Sequence, residues 1–559
     1  MNKPAPSVIK APKPGQKPAP PQPAPLPAQT WATCSSDDVA MVRIRARRTD
    51  DPAYKGHAIR NPMAWFPSDC KPTIGNHIVA YIDGRCAFED MGEAIATAYS
   101  SDHRIYIVGW STNKDVILKG SSTLEDYLKN TRAQVRGMFF HGMMGISPLF
   151  STRIVENKWI TDAINNLTNG AALQDSKLPP LGIHHQKLLV VQGQFGVVAF
   201  IGGMDFDPSR TEVNPGVGRP WHDTQFRIVG PAALECRKIF EDRWLDHYST
   251  AALDQKLGAS ATASTADRRK LAFPSPTALD LSNLPSCTYV RGSRRESKSD
   301  STIAVGRTFA NMSKSGSTPY SFAPSGEYTA WSLIEKGIKQ ATRWIYLEDQ
   351  YLVSSMVRQA LLDRLKDSSF EFLLMVMNSS GAAAPDFKYL VTARNEFRRD
   401  LMTADPTKKK WGLYVLKQSN DPERLKWCGS YVHSKTWIFD DNYVISGSVN
   451  CDNRGYTYDS EIALGMADTN MFDIWHGESF ATDLRTRLWH KILGLPHSQV
   501  RDWDKALRYW KKPPPPALIE DASAYELDND LLPPTPFPSA ADAANVEKIW
   551  TTLVDPDAR

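Results

Sequence analysis

Short apolar runs separated by amphipathic stretches dominate the chain from about residue 75 onward. HIVAYID (77–83) and RIYIVGW (104–110) are rich in β-branched and aromatic residues and predict strands; CAFEDMGEAIATAYSSD between them has the spacing of an amphipathic helix. EDYLKNTRAQV (125–135) continues as a helix, and LLVV (188–191) and VVAFIGG (197–203) predict two more buried strands. HDTQFRIVG (222–230) then offers a strand, and GPAALECRKIFEDRWLDHY (230–248) a long helix with apolar residues at helical spacing.

The pattern then repeats. TAWSLIEKGIKQATRWIYLEDQYLV (329–353) resembles EAIATAYSSDHRIYIVGW (93–110), with Ile345 and Tyr346 matching Ile105 and Tyr106. FEFLLMVM (370–377) and SEIALGM (460–466) predict strands, and ESFATDLRTRLWHKILG (478–494) a helix stopped by Gly494 ahead of Pro496. Between the halves, residues 250–300 are rich in Ser, Ala and charge and poor in large apolar residues, which predicts a linker or a surface excursion. Residues 1–30 are rich in Pro, Ala and Lys, which favours an extended tail suited to a linker or to docking. The alternating Arg43, Arg45 and Arg47, with Arg48, read as a solvated face. The expected division is a tail and lead-in at 1–58, one lobe at 59–285, a second at 286–500 and an extended C-terminal tail at 501–559, with a short helix near 540–553.

Composition narrows the partners. At 559 residues, 42% hydrophobic and 23% charged, this is an ordinary globular chain, and a formal charge of +4 gives no global attraction to nucleic acid. Seven scattered cysteines, with no CxxC pair, suggest neither a disulfide framework nor a zinc site; reduced structural thiols are expected, with a Cys34–Cys70 bridge left open. No apolar run approaches the ~18 residues that span a bilayer, and the first thirty residues lack the apolar centre of a secretory signal.

The chemistry concentrates in YVHSKTWIFDDNYVISGSVN (431–450) and an imperfect copy, IHHQKLLVVQGQFGVVAFIGGMD (183–205). Strand alternation puts His433 and Lys435 on one face, about 7 Å apart along it; His185 and Lys187 stand in the same relation. Ile105 precedes His185 by 80 residues and Ile345 precedes His433 by 88, which indicates duplication. An imidazole beside an ammonium can attack or protonate an anion that the ammonium holds, while Gly203, Ser448 and Asn450 can admit and hydrogen-bond a phosphate. Two such half-sites facing each other would set two imidazoles on opposite sides of one phosphorus, without a metal or cofactor. Each imidazole needs an acceptor for its other nitrogen; Asp223 and Glu461, 38 and 28 residues past His185 and His433, are the candidates. His184 has no counterpart in the second copy and is expected to point to the opposite face.

These motifs resemble the HKD motif of the phospholipase D superfamily, over about residues 75–495. HHQKLLVVQG, FIGGMD, PWHD, IYLEDQYL and FATDLRTRLWHKILGL are similar to the branch holding eukaryotic-type phospholipases D and related bacterial enzymes. The resemblance implies a bilobal α/β fold of two duplicated mixed-sheet lobes, helices on the sheet faces and an active site at the lobe interface. It implies hydrolysis of membrane phospholipids to phosphatidic acid, with His185 as nucleophile, His433 as acid and base, and Lys187, Lys435 and Asp440 in the catalytic set. The departure is Gln192, which stands where the second motif has Asp440. Alternatives within the superfamily are a nuclease or a phosphatidyltransferase such as cardiolipin synthase; outside it, a non-catalytic membrane-binding scaffold. The expected partner is a bilayer surface rather than nucleic acid, and the chain is expected to be a monomer. Delivery by a specialised secretion machine, with an immunity or secretion partner engaging the Pro-rich tail, is the expected setting.

Overall fold

The computed structural model describes residues 62–142, 148–211, 221–276, 301–378, 388–417, 431–468 and 479–524. The Pro-rich tail, Arg43–Arg48, the later part of the 250–300 stretch and the expected terminal helix lie outside the described residues.

Fourteen strands form two matching sets. In the first half these are β1 Thr73–Ile82, β2 Arg104–Gly109, β3 Gln134–Phe140, β4 Gly170–Asp175, β5 Leu188–Gly193, β6 Gly196–Gly202 and β7 Thr224–Val229. In the second they are β8 Ser301–Phe309, β9 Trp344–Asp349, β10 Phe372–Met377, β11 Trp411–Leu416, β12 Thr436–Phe439, β13 Tyr443–Gly447 and β14 Glu461–Asp468. They join in the order β4-β3-β2-β5-β6-β7-β1-β8-β14-β13-β12-β9-β10-β11, which reads as the same arrangement from either end. β2, β3 and β4 run parallel, as do β9, β10 and β11, while β5 and β12 return antiparallel to β2 and β9. The antiparallel β1–β8 pair closes the two sets into one mixed sheet. The strands are buried on both faces, so they carry continuous apolar runs instead of alternation.

Helices cover both faces. α1 (Gly84–Ala96) and α3 (Thr329–Gln340) lie over separate apolar clusters, one per half. On the other face α2 (Pro231–Asp246) and α4 (Phe480–Leu493) share a single core that draws on strands of both halves. α4 ends as expected, with Gly494 in the left-handed conformation at φ 66°.

Several elements differ from the sequence reading. The helix expected over 125–135 ends at Asn130, and Gln134 starts β3. Arg136 hides that strand from a hydrophobicity pattern, yet it is fully buried, 3.6 Å from Asp254. Asp254 also draws the start of the expected linker onto the first half. It accepts hydrogen bonds from Nε1 of Trp244 (3.1 Å) and Nε of Arg268 (3.0 Å), so Thr250–Lys256 and Thr265–Ala272 are packed helices. Residues beyond 501 are likewise not simply extended: Trp503–Lys511 is a helix whose Trp503 stacks on Trp344 at 3.8 Å, and Ile519–Asp521 adds an edge strand to β11. Cys70, Cys236 and Cys451 are buried free thiols, which rules out the Cys34–Cys70 bridge. Cys86 is disulfide-bonded, so the all-reduced expectation fails there.

Asp254→Ala should strand the buried Arg136 and Arg268 and lower unfolding stability by about 3–5 kcal/mol. A urea titration followed by tryptophan fluorescence measures this; a midpoint within error of the parent would contradict the buried pairing.

Candidate active site

β5 and β12 begin just after the two His–Lys pairs, on segments that cross to the opposite half. The residue before each histidine forms a parallel bridge with the residue before the other half's carboxylate: His184 with Ser460, and Val432 with His222. His185 N–H donates to Ser460 O (2.9 Å) and His433 N–H to His222 O (2.7 Å). These bridges set Glu461 beside His185 and Asp223 beside His433, with Nδ1 to carboxylate distances of 2.7 Å in both cases. The acceptors are therefore exchanged between halves. When the carboxylate is ionised, Nδ1 carries the proton and Nε2 is left free.

The lysines are fixed from behind. Lys187 Nζ donates to His185 O (2.9 Å) and lies 3.3 Å from Asp205; Lys435 Nζ donates to His433 O (2.5 Å) and to Oε1 of Gln350 (3.1 Å). Asn378 braces the backbone beside His433, accepting from Val432 N (2.5 Å) and donating to Val432 O (2.7 Å). Ser448 Oγ donates to Glu461, while the matching position, Gly203, has no room for a side chain because a Cβ there would collide with Asp223 Oδ1. Asn450 is buried with its Oδ1 lacking a hydrogen-bond partner.

One expected residue, Asp440, stands apart from the site, as does Gln192 at the matching position. Asp440 lies at the far end of β12 from His433, where it accepts from the backbone N–H groups of Thr342 (2.7 Å), Arg343 (3.0 Å) and Trp344 (2.8 Å). Its carboxylate anchors the start of β9, so its place in the catalytic set is corrected to an anchoring one. Gln192 occupies the equivalent end of β5 and accepts from Arg237 on α2 (2.9 Å), where a neutral amide suffices. His184 is turned away from the site and fully buried against Asp175, 3.1 Å away.

The sequence reading did not single out Arg210, Trp221, Trp110 or Tyr431. Trp221 lies 5.2 Å from the His433 ring and 4.4 Å from Tyr431, with the Arg210 guanidinium 4.1 Å over its face. Trp110 lies 5.9 Å from the His185 ring. Their signal was adjacency: Trp110 ends a predicted strand and Trp221 precedes His222 and Asp223.

Electrostatically the four central groups form one unit. Burial, then Lys187 and Lys435, hold His185 well below 6.5; burial, then Lys435, Arg210 and Lys187, do the same to His433. Burial pulls Lys435 down to about 7, against the attraction of Asp223. Burial also raises Glu461 well above the usual carboxylate value and raises Asp223. Without an anion between them, the imidazoles are neutral, and a bound phosphate would favour their protonation. Among the described residues, no group of three or more His, Cys, Asp or Glu side chains is arranged to hold a metal ion.

This sheet and site define a duplicated α/β protein with two His–Lys pairs converging on one centre. No family model matches the chain. It is 23% identical over 404 residues to a cardiolipin synthase of Staphylococcus aureus, covering 70% of this chain and 64% of the relative. It is 25% identical over 341 residues to phospholipase D1 of Saccharomyces cerevisiae, covering 52% and 19%. The chain thus spans less than two thirds of the length of these relatives. A solved phosphatidylserine synthase of Haemophilus influenzae Rd KW20 aligns with a TM-score of 0.48 at 11% identity, over 86% of this chain and 94% of that one. These likenesses support the resemblance of this chain to the phospholipase D superfamily.

Gly203→Ser should abolish turnover by displacing Asp223, and Gly203→Ser combined with Asp223→Glu, which copies the Ser448–Glu461 pair, should restore a measurable part of it. Steady-state rates of the three proteins check this; a Gly203→Ser variant as active as the parent would contradict the packing.

Proposed function

We propose that the chain is a phospholipase D that cleaves the distal phosphodiester of membrane phospholipids to phosphatidic acid and a free headgroup. The observation that carries this reading is the pair of imidazoles, each tied at Nδ1 to a carboxylate of the opposite half and flanked by a buried lysine.

In the proposed reaction Lys187 and Lys435 hold the non-bridging oxygens of the phosphodiester, and its negative charge raises the basicity of the histidines around it. Nε2 of His185 attacks phosphorus and the bond to the headgroup oxygen breaks; Nε2–H of His433 protonates that oxygen. His433 then takes a proton from water, whose oxygen displaces His185 from phosphorus and yields phosphatidic acid. Burial raises both carboxylates, against Lys435 and Arg210 at Asp223 and against Lys187 at Glu461, and Glu461 stands well above the usual value. A bilayer surface is the proposed partner; among the described residues no helix is long and apolar enough to span a membrane. Delivery into a target cell, with which the Pro-rich termini are compatible, is the proposed biological setting.

A second reading, transfer of the phosphatidyl group to an alcohol in place of water, is favoured by the likeness to cardiolipin synthase over 404 residues. The same intermediate would serve, with His433 deprotonating the alcohol.

Purified protein given phosphatidylethanolamine and phosphatidylcholine vesicles, with and without phosphatidylglycerol, in excess chelator should release phosphatidic acid. His433→Ala should lower the rate about 10²–10⁴-fold. Cardiolipin as the main product would favour transfer, and cleavage of added single-stranded DNA without lipid turnover would sink both readings. In the free protein Lys435 loses its proton near pH 7, so kcat/KM should fall as pH rises through about 7. Lys435→Arg, which stays charged, should move that limb upward even if the maximum drops; a limb at the same pH would rule out Lys435 as its origin.

A further inference from the structure

Directly behind the Asp223–His433 pair lies a buried charged cluster that the proposed chemistry does not use. Asp83 and His222 come from the first half, Glu348 on β9 and Lys491 on α4 from the second. Nε2 of His222 is 3.0 Å from Glu348 Oε2. Its Nδ1 is 3.4 Å from Asp83 Oδ1 and 3.1 Å from Lys491 Nζ. Lys491 also pairs with Asp83, and Tyr346 donates its hydroxyl to Glu348 (2.5 Å). His222 and Glu348 are fully buried. Burial and Lys491 oppose a charged imidazole, but Glu348 and Asp83 outweigh them and carry His222 up to about 9. Both ring nitrogens are engaged by side chains of this cluster, which leaves neither free for proton transfer to a substrate.

Two connections run from this cluster to the reacting histidine. The main-chain oxygen of His222 accepts from the N–H groups of His433 (2.7 Å) and Ser434 (3.1 Å). Asp83 brackets Asp223: its N–H donates to Asp223 O (2.8 Å), and its Oδ1 accepts from Asp223 N (3.3 Å). It does so at φ 66° and ψ 165°, a conformation disfavoured for any residue with a Cβ, as expected where surroundings over-determine the backbone. The cluster behind His185 differs. There Asp175 meets Arg243, His184 and His247, all from the first half, and the second half contributes rings instead of charges, with Arg243 5.6 Å from Phe309 and 5.9 Å from Tyr320.

We propose that His222 is a positioning residue: by joining Glu348 of one half to Asp83 of the other, it sets the distance and angle at which Asp223 meets His433. The proposal rests on the reading of His433 as the proton-transfer group.

The test compares the full chain with His222→Gln, whose amide can still donate to Glu348 but carries no charge. Turnover of the soluble phosphodiester bis(p-nitrophenyl) phosphate is measured well below the melting temperature of each protein. The Nδ1 protons of His185 and His433 are followed by NMR on ¹⁵N-histidine-labelled protein. The expected result is a fall in kcat of about 10- to 100-fold with KM within about twofold, and loss of the His433 Nδ1 proton signal while that of His185 persists. Glu348→Gln should show the same split and supplies the comparison if His222→Gln does not fold. A folded variant with parental kcat and an intact His433 signal would overturn the proposal by making the cluster a matter of stability alone. Equal loss of both histidine signals would overturn it too, since the effect would then be general. If the parent turns over no phosphodiester, the functional reading fails, and the His433 signal still decides whether His222 positions the pair.

Discussion

The exchange of carboxylates between halves is the constraint on which the rest of the structure depends. His185 is completed by Glu461 and His433 by Asp223, each at 2.7 Å. Neither half therefore holds a finished imidazole–carboxylate pair. A geometry good to a few tenths of an ångström must be maintained between residues 276 and 210 positions apart. Hydrogen bonds to an ionised partner weaken steeply with distance and angle, so any sliding of one half on the other would disable both histidines together.

The fold answers this demand at three levels. The sheet continues across a short, irregular β1–β8 pairing, and α2 and α4 share one core beneath it. The bridges His184–Ser460 and Val432–His222 then fix register at the site itself. Polar links between the halves flank both histidines: the buried cluster around His222 behind His433, and Asp459 and Arg454 holding the main chain of Ile183 and Leu181 beside His185. The residues that make these links differ on the two sides, so the duplicated framework is more symmetric than its chemistry. Gly203 beside Asp223 and Ser448 beside Glu461 show the same divergence within the site, since a shorter carboxylate on one side leaves no room for a side chain opposite it.

Much of this was legible in the sequence, for physical reasons that also mark where legibility stopped. The His–x–Lys spacing works because strand alternation is local, and the repeat of that spacing after similar intervals revealed the duplication. β2 and β9 were visible as dense β-branched and aromatic runs. β3 was not, because Arg136 looks like a surface residue until Asp254, more than a hundred positions away, neutralises it. Asp223 and Glu461 could be picked out as acceptors, but a spacing along one half says nothing about which half's histidine they reach. Asp440 shows the opposite error: its place in a motif with His433 suggested shared chemistry, whereas a strand carries residues seven positions apart to opposite ends of the sheet.

The crossed pairing also has a consequence for the order in which the molecule is made. His185, Lys187 and Asp223 leave the ribosome well before Glu461, so a nascent first half can assemble its strands while its nucleophile candidate still lacks an acceptor. Reactivity then arrives as a late step, with the emergence of β14. On the proposed phospholipase reading, such timing acts as a built-in delay, set by chain topology rather than by an inhibitor.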